Sequence, residues 1–353
     1  MAKGLLIQGS SPLCGSPITY KVQADSINGA CAFHRVNLAV HAALYGGNYM
    51  DLILSSPAES GEILSFDISS ALRAVADSYE YTVEPPSAYP YIVYDLYAHD
   101  EWMLNGEAHD VPDDFNKWST NSKGHKAVFG AYSDLERLLA SGSGTTKSKL
   151  AQHFSRKPFS SPEVVAVGET MVLPLSFDDP VSEAGISSGP TSSVVSITKE
   201  GLQVLNGREV FALPASQRTD RYEFRFVNGL GCLESVSVCS LRTTEMNVTS
   251  ESYIRSIQET FGQFSRGVVI KSNDYETWKL SSGPLDIYWQ SWFMHEFLMT
   301  KKAWIKIGAN WIPCHILADE TISGLNRQEN GICEVQFSMQ LDINGSPLAS
   351  LAI

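Results

Sequence analysis

The chain has 353 residues, 43% of them hydrophobic and only 18% charged, and a formal net charge of −13. Its length exceeds the roughly 100 to 200 residues of one ordinary domain, so two or three cores are expected. The acidic balance without a dense Lys/Arg cluster argues against wrapping a nucleic acid, no window reaches the roughly 18 apolar residues that span a bilayer, and the apolar run at 5–7 is too short for a signal-peptide core.

From the N-terminus, apolar and polar residues alternate with period two, the mark of strands with one buried face. Ile18, Tyr20, Val22 and Ala24 share such a face, as do Val36, Leu38, Val40, Ala42 and Leu44, then Leu64, Phe66 and Ile68, then Ile92, Tyr94, Leu96 and Ala98. Turn-forming clusters at Asn28-Gly29, Gly46-Gly47-Asn48 and 84–87 separate them. A short helix over SSALRAVADSY, capped by Asp67 or Ser69 and burying Leu72, Val75 and Ala76, falls between the third and fourth strands. Together these predict an antiparallel, immunoglobulin-like β-sandwich over 1–140. Helical spacing returns at 128–139, with Leu135, Leu138 and Leu139 grouped and Ser133 or Asp134 as cap. The stretch 141–165, rich in Gly, Ser, Lys and Pro, reads as a linker, and the basic residues Lys147, Lys149, Arg156 and Lys157 read as solvated.

A small β domain is expected over 166–243. Met171, Leu173, Leu175 and Phe177 alternate there, and GLQVLNGREVFAL sets two apolar runs around Asn206-Gly207, a hairpin signal because both turn residues tolerate positive φ. Strands at YEFRFVN and SVSVCSL flank a turn at Gly229-Leu230-Gly231. An α+β domain is expected over 244–353. There SYIRSIQETF reads as a short helix or irregular strand, VVIKS and ETWKLS as strands, and YWQSWFMHEFLMTKKAW as an amphipathic helix with Trp289, Trp292, Phe293, Phe297 and Leu298 on one face. In CEVQFSMQLDI, Cys333, Val335, Phe337, Met339, Leu341 and Ile343 alternate with polar residues. The fold class is therefore mainly β with minor α, in several domains.

The search for chemistry yields little. His295-Glu296 opens like the HExxH zinc motif, but Met299 stands where the second histidine is needed. GSGTTKS at 142–148 lacks the glycine that a phosphate-binding loop requires before Lys147. Between residues 95 and 114, Asp95, His99, Asp100, Glu101, Glu107, His109, Asp110, Asp113 and Asp114 gather without EF-hand spacing, which reads foremost as a solvated loop and secondarily as a cation, glycan or carboxylate-pair site. No GxSxG elbow is present, and Asn247-Val248-Thr249 is a sequon without a secretory route. Six cysteines, at 14, 31, 232, 239, 314 and 333, form no CxxC pair, so free, mostly buried thiols are expected, without a metal or cofactor. The remaining candidates for recognition are aromatic. Tyr91, Tyr94, Tyr97 and Trp102, beside Tyr89, crowd one strand and its exit, where rings could contact a glycan or a partner protein or simply fill the core.

Several stretches, FHRVNLAV (33–40), SGEILSFDISSALRAVAD (60–77), YDLYAHDEWMLNGE (94–107), AVFGAYSDLERLL (127–139), HFSRKPFSSPEVVAVGE (153–169) and RYEFRFVNGLGCLESV (221–236), join the C-terminal helix and WIKIGANWIPCHI in carrying a resemblance. Over about half of its length the chain resembles tail and baseplate proteins of Bacteroidales phages and prophages. The resemblance implies a non-enzymatic structural subunit of a virion tail, similar to distal tail proteins and assembled in the host cytoplasm. It would form a ring-like homo-oligomer, a hexamer or trimer, with copies of itself and other tail proteins. The family offers no active-site residues to carry over. The competing expectation is a glycan-binding module for host surface polysaccharide, and a depolymerase using the 95–114 carboxylates stands third.

Overall fold

The computed structural model describes residues 5–8, 13–29, 31–82, 84–86, 89–136, 155–158, 161–174, 192–205, 208–218, 220–240, 242–257, 264–317 and 332–342. Its architecture is mainly β, in several sheets that are almost wholly antiparallel, with few helices.

The N-terminal part is a two-layer sandwich. Its strands are β1 (Leu5–Gln8), β2 (Thr19–Gln23), β3 (Cys31–Leu44), β4 (Met50–Pro57), β5 (Ile63–Asp67), β6 (Tyr91–Leu104), β7 (Glu107–His109) and β8 (Thr120–Val128), with helix α1 (Ser69–Ala76) between β5 and β6. One sheet runs β1-β2-β5; the other runs β4-β3-β6, with β7 and β8 both paired to β6. This is the A-B-E against C′-C-F-G order of an immunoglobulin-like sandwich. The period-two faces meet between the layers, where Ile18, Tyr20, Val22, Val36, Leu38, Val40, Phe66, Ile92, Leu96 and Ala98 are buried together with Leu72 and Val75 of α1. The residue at the helix N-cap is Ile68, and Asp67 caps from one position earlier: its Oδ1 accepts from Ser69 N (2.9 Å) and Ile18 N (3.1 Å). Two strands escape the sequence pattern: edge strand β4 has no fully buried position, and β8 is largely polar. The helix expected over 128–139 is also shorter than its pattern. Strand β8 runs to Val128, and a helical turn opens only at 134, where Ser133 N donates to Glu136 Oε2 (2.7 Å) and Glu136 N to Ser133 Oγ (3.2 Å). Leu138 and Leu139 lie outside the described residues.

Next come β9 (Glu163–Ala166), β10 (Thr170–Pro174), β11 (Ser192–Ser196), β12 (Gly201–Leu205) and β13 (Arg208–Leu213). Strands β12, β13 and β9 form one small sheet, β10 and β11 a two-stranded one, and Val165, Met171, Leu173, Ile197, Val210 and Ala212 pack between them. The expected hairpin is present, with Leu205 opposite Arg208, although Asn206-Gly207 lies outside the described residues, as do Leu175 and Phe177.

The C-terminal part contains β14 (Arg221–Val227), β15 (Leu233–Cys239), β16 (Thr243–Ile257), β17 (Phe264–Ser281), β18 (Leu285–Asp286), helix α2 (Ile287–Trp292), β19 (Ala303–Ile307), β20 (Asn310–Leu317), β21 (Ile332–Cys333) and β22 (Gln336–Leu341). Seven strands form an antiparallel sheet in the order β15-β14-β19-β20-β22-β17-β16. Strand β14, which the sequence groups with 166–243, is hydrogen-bonded to β19 and carries β15 into the same sheet, since period two announces a strand without naming its partner. The sheet curls. Ser281 N donates to Ser240 Oγ (2.7 Å), and the Tyr222 and Trp278 rings stand 6.2 Å apart although four strand boundaries separate them along the sheet. Helix α2, capped by Asp286, fills the concave side, and the five residues of its predicted face are all buried. It stops sooner than the sequence pattern: a π turn at Phe293–Phe297 ends it, and Ala303 and Trp304 belong to β19.

Among the described residues several contacts join the parts, and two of them involve the segment between the sandwich and the small β unit. Gly130 and Gly231 lie back to back; a Cβ on Gly130 would fall 2.0 Å from the Leu230 carbonyl carbon, and Gly231 has φ +79°, so only glycine fits the contact. Beside it runs Ser155–Pro158, where Ser155 and Lys157 are buried and Arg156 and Pro158 half-buried rather than solvated, while Lys147 and Lys149 lie outside the described residues. Arg156 donates to Glu136 (both contacts 2.7 Å), to Glu296 Oε1 (2.6 Å) and to Ala131 O (2.8 Å). Lys157 donates to Glu163 Oε1 (2.7 Å) and Ser235 O (2.5 Å), with Nζ 5.3 Å from the Trp292 ring centre. Arg208 donates to Lys157 O (3.2 Å) and Ser155 Oγ (3.3 Å), and Ser155 in turn donates to Glu234. Burial lifts the Glu234 carboxyl above the usual range, opposed by Lys157, Ser155, Arg208 and Asn228. Composition failed here because the carboxylates that neutralise these cations are up to 140 residues away in sequence.

Removing one partner of such a buried pair leaves the other uncompensated. The Lys157→Met variant is therefore expected to lose about 3–5 kcal/mol in denaturant unfolding, and the double variant K157M/E163L to recover part of that loss. A second expectation concerns acid. Burial pushes Glu136 up, but hydrogen bonds and charge from Arg156, with Ser133, outweigh it and hold the carboxyl below its usual range. The stabilisation is complete above the unfolded glutamate value of about 4.3 and lost as pH falls through the lowered folded value. Melting temperature should fall on acidification across that window, and less steeply in R156M.

Candidate interaction surfaces

The four aromatic candidates do not form one platform. Strand parity turns Tyr94 inward: it is 2% exposed, its hydroxyl lies 3.0 Å from that of Tyr20, and its ring stacks on His125 at 5.1 Å. Tyr94 thus leaves the set of candidate contacts. Burial and the neighbouring Tyr20 raise its phenol well above the ordinary range, and burial lowers His125. Tyr91 is buried at the sandwich end and stacks on exposed Tyr45 at 4.7 Å. Tyr97 is buried on the outer face of the sheet with Ala39, Phe115 and Trp118, beneath Lys123 at 5.1 Å. Trp102 alone is half-buried, stacked on His109 at 5.0 Å.

The acidic stretch is likewise less of a loop than expected. Residues 95–104 belong to β6, and Asp100 is wholly buried, accepting from Asp25 N and lying 3.2 Å from His34 Nε2. Burial and then His109 hold His99 below its ordinary range. Among the described residues no three His, Cys, Asp or Glu side chains are grouped so as to hold a metal ion. His295 is exposed, while Glu296 engages Arg156 and Gly229 N. Of the described cysteines, Cys14, Cys232 and Cys314 are buried free thiols, Cys31 is half-buried and Cys239 exposed; burial pushes Cys14 up to about 11 and Cys314 up to about 12. No helix of the described residues is long and apolar enough to cross a membrane.

Two features instead point to contact with another chain. Across β12-β13-β9, Leu202 lies opposite Phe211 and Phe211 opposite Val164, and these three with Val204 are 41–66% exposed. Single exposed apolar residues need no explanation, but a row across three strands marks a contact surface. The sequence carried a signal for it: in GLQVLNGREVFAL both strand faces are apolar, whereas a sheet with one wet face needs only one. The second feature is a ribbon. Strand β17 pairs with β22 only over Thr277–Ser281, while its pairing with β16 continues to Phe264 opposite Ile257. Residues 264–276 and their partners therefore run on as a two-stranded arm, about 40 Å long at roughly 3.3 Å per residue. Among the described residues, β16 is hydrogen-bonded to β17 alone. The side of the sequence reading that left SYIRSIQETF as a strand agrees with β16 up to Ile257; residues 258–262 lie outside the described part.

No protein-family model and no curated protein sequence matches the chain.

Proposed function

We propose that this chain is a non-enzymatic structural subunit of a phage-type tail or baseplate, assembling with copies of itself and with other tail proteins. The observation that carries the reading is the arm. A two-stranded ribbon is at best marginally stable in water, because each strand satisfies only half of its backbone groups and has no layer to bury against. A neighbouring subunit supplies the missing strand. The apolar row Val164-Phe211-Leu202 offers a second contact on a different part of the chain, and two unlike surfaces joining head to tail form a ring where the rotation between subunits closes. The resemblance of the six quoted stretches to tail proteins agrees with this reading.

Mass photometry of the full chain tests it. Particles of three or six copies are expected at high concentration, shifting to monomers when 250–270 is replaced by a two-residue turn or when Leu202 and Phe211 are both changed to Ser. A strictly monomeric particle that binds no other tail protein contradicts the proposal. A second reading, recognition of host surface glycan on the outer face of the sandwich, rests on Trp102 stacked on His109 and on exposed Tyr49 stacked on His41 at 4.1 Å. There a glycan array with the W102A variant decides: binding lost in the variant supports it, and silence across host polysaccharides removes it.

A further inference from the structure

A cavity of about 460 Å³ opens at the mouth of the curled C-terminal sheet, at the end where Tyr222 of β14 faces Trp278 of β17. That volume falls in the range of about 300–1,000 Å³ usual for small-ligand sites, although the depression is open to solvent. Tyr222, Trp278 and Ile307 supply the apolar part of its lining, and the charged side chains in it are all cationic, Arg221, Arg242 and Lys306. The lining holds three cations and no carboxylate, but Glu169 and Glu223 pair with two of them from beneath.

The three cations are not equivalent. Arg221 donates to Glu169 Oε1 at 2.7 Å, and Lys306 donates to Glu223 at 3.0 and 3.2 Å, so both are anchored from beneath. Arg242 is exposed, and its guanidinium carbon lies 4.2 Å from the centre of the Trp278 ring. A guanidinium held over an aromatic face keeps its in-plane N–H donors directed outward, in the fork that matches a carboxylate. The adjoining Tyr222 ring and Ile307 give a ring-shaped ligand an apolar surface to lie on.

We propose that this mouth binds an acidic saccharide, with a sugar carboxylate on Arg242 and the apolar face of its ring against Tyr222 and Ile307. The contact with Arg242 is ionic, so affinity falls as salt rises. The proposal goes beyond the assembly reading and is independent of it, because the cavity includes neither the apolar row nor the arm beyond the sheet.

Isothermal titration with hyaluronan tetrasaccharide, oligogalacturonate and sialyllactose tests it, against chitotetraose as the neutral control and inorganic phosphate and AMP as other anions. At least one carboxylated saccharide is expected to bind, with chitotetraose, phosphate and AMP weaker by roughly tenfold or more. R242A should weaken that binding roughly tenfold or more, and R242K should weaken it less than R242A does, both with an unchanged melting temperature because Arg242 is exposed. No binding by any of the three acidic saccharides, equal binding of chitotetraose, tighter binding of phosphate or AMP, or indifference to R242A would each overturn the proposal.

Discussion

A lysine removed from water, Lys157, sits where three parts of the chain meet, and the rest of the structure depends on its neutralisation. Its ammonium is shared between Glu163 at the start of the small β unit and the Ser235 carbonyl of the C-terminal sheet. One residue earlier, Arg156 joins Glu136 at the exit of the sandwich to Glu296 in the π turn. A buried charge without partners is far too costly to tolerate, so the elements that supply the carboxylates must come to this segment. Four consecutive residues, Ser155–Pro158, thereby fix three packing units relative to one another, with the Gly130–Gly231 contact setting how closely two of them approach. Such pairs add less net stability than their number suggests, and their effect is on geometry: they permit one arrangement of the units and penalise others.

This anchoring bears on the proposed assembly. An arm transmits or receives force only if its base is rigid, and here β17 enters the seven-stranded sheet beside β22 with Trp278 and Leu280 in the main core. The opposite edge of that sheet is treated differently. Strand β15 is covered by contacts from Lys157 to the Ser235 carbonyl and from Val172 N to Ser235 Oγ, so edge-to-edge growth is blocked on that side. One edge closed and the other prolonged gives the sheet a direction, which is the property a head-to-tail ring requires.

Local periodicity made the cores legible and left the connections hidden. The faces of β2, β3, β5 and β6 could be read residue by residue, and so could the buried side of α2, because burial on one side imposes period two or 3.6 wherever it acts. The same alternation that places Ile92, Leu96 and Ala98 in the core places Tyr94 there, so its nomination as a surface contact gave more weight to its ring than to its parity. Strand β4 was silent because a half-covered edge exerts weak selection on alternation, and the burial of Lys157 was silent because the Ser235 carbonyl and the Trp292 ring that enclose it come from distant segments. The apolar row on β12, β13 and β9 lay in plain view but was absorbed into a hairpin reading, which explains one apolar face and leaves the second unaccounted for.

The central claim is that the arm formed by β16 and β17 is completed by a second copy of the chain. Amide hydrogen exchange of residues 246–257 and 264–276, followed as a function of protein concentration, tests it most directly. Exchange should be rapid in dilute solution, as in a lone ribbon, and become protected to the level of β14 as particles assemble. Protection already equal to that of β14 in the dilute monomer, or unchanged at any concentration, would contradict it.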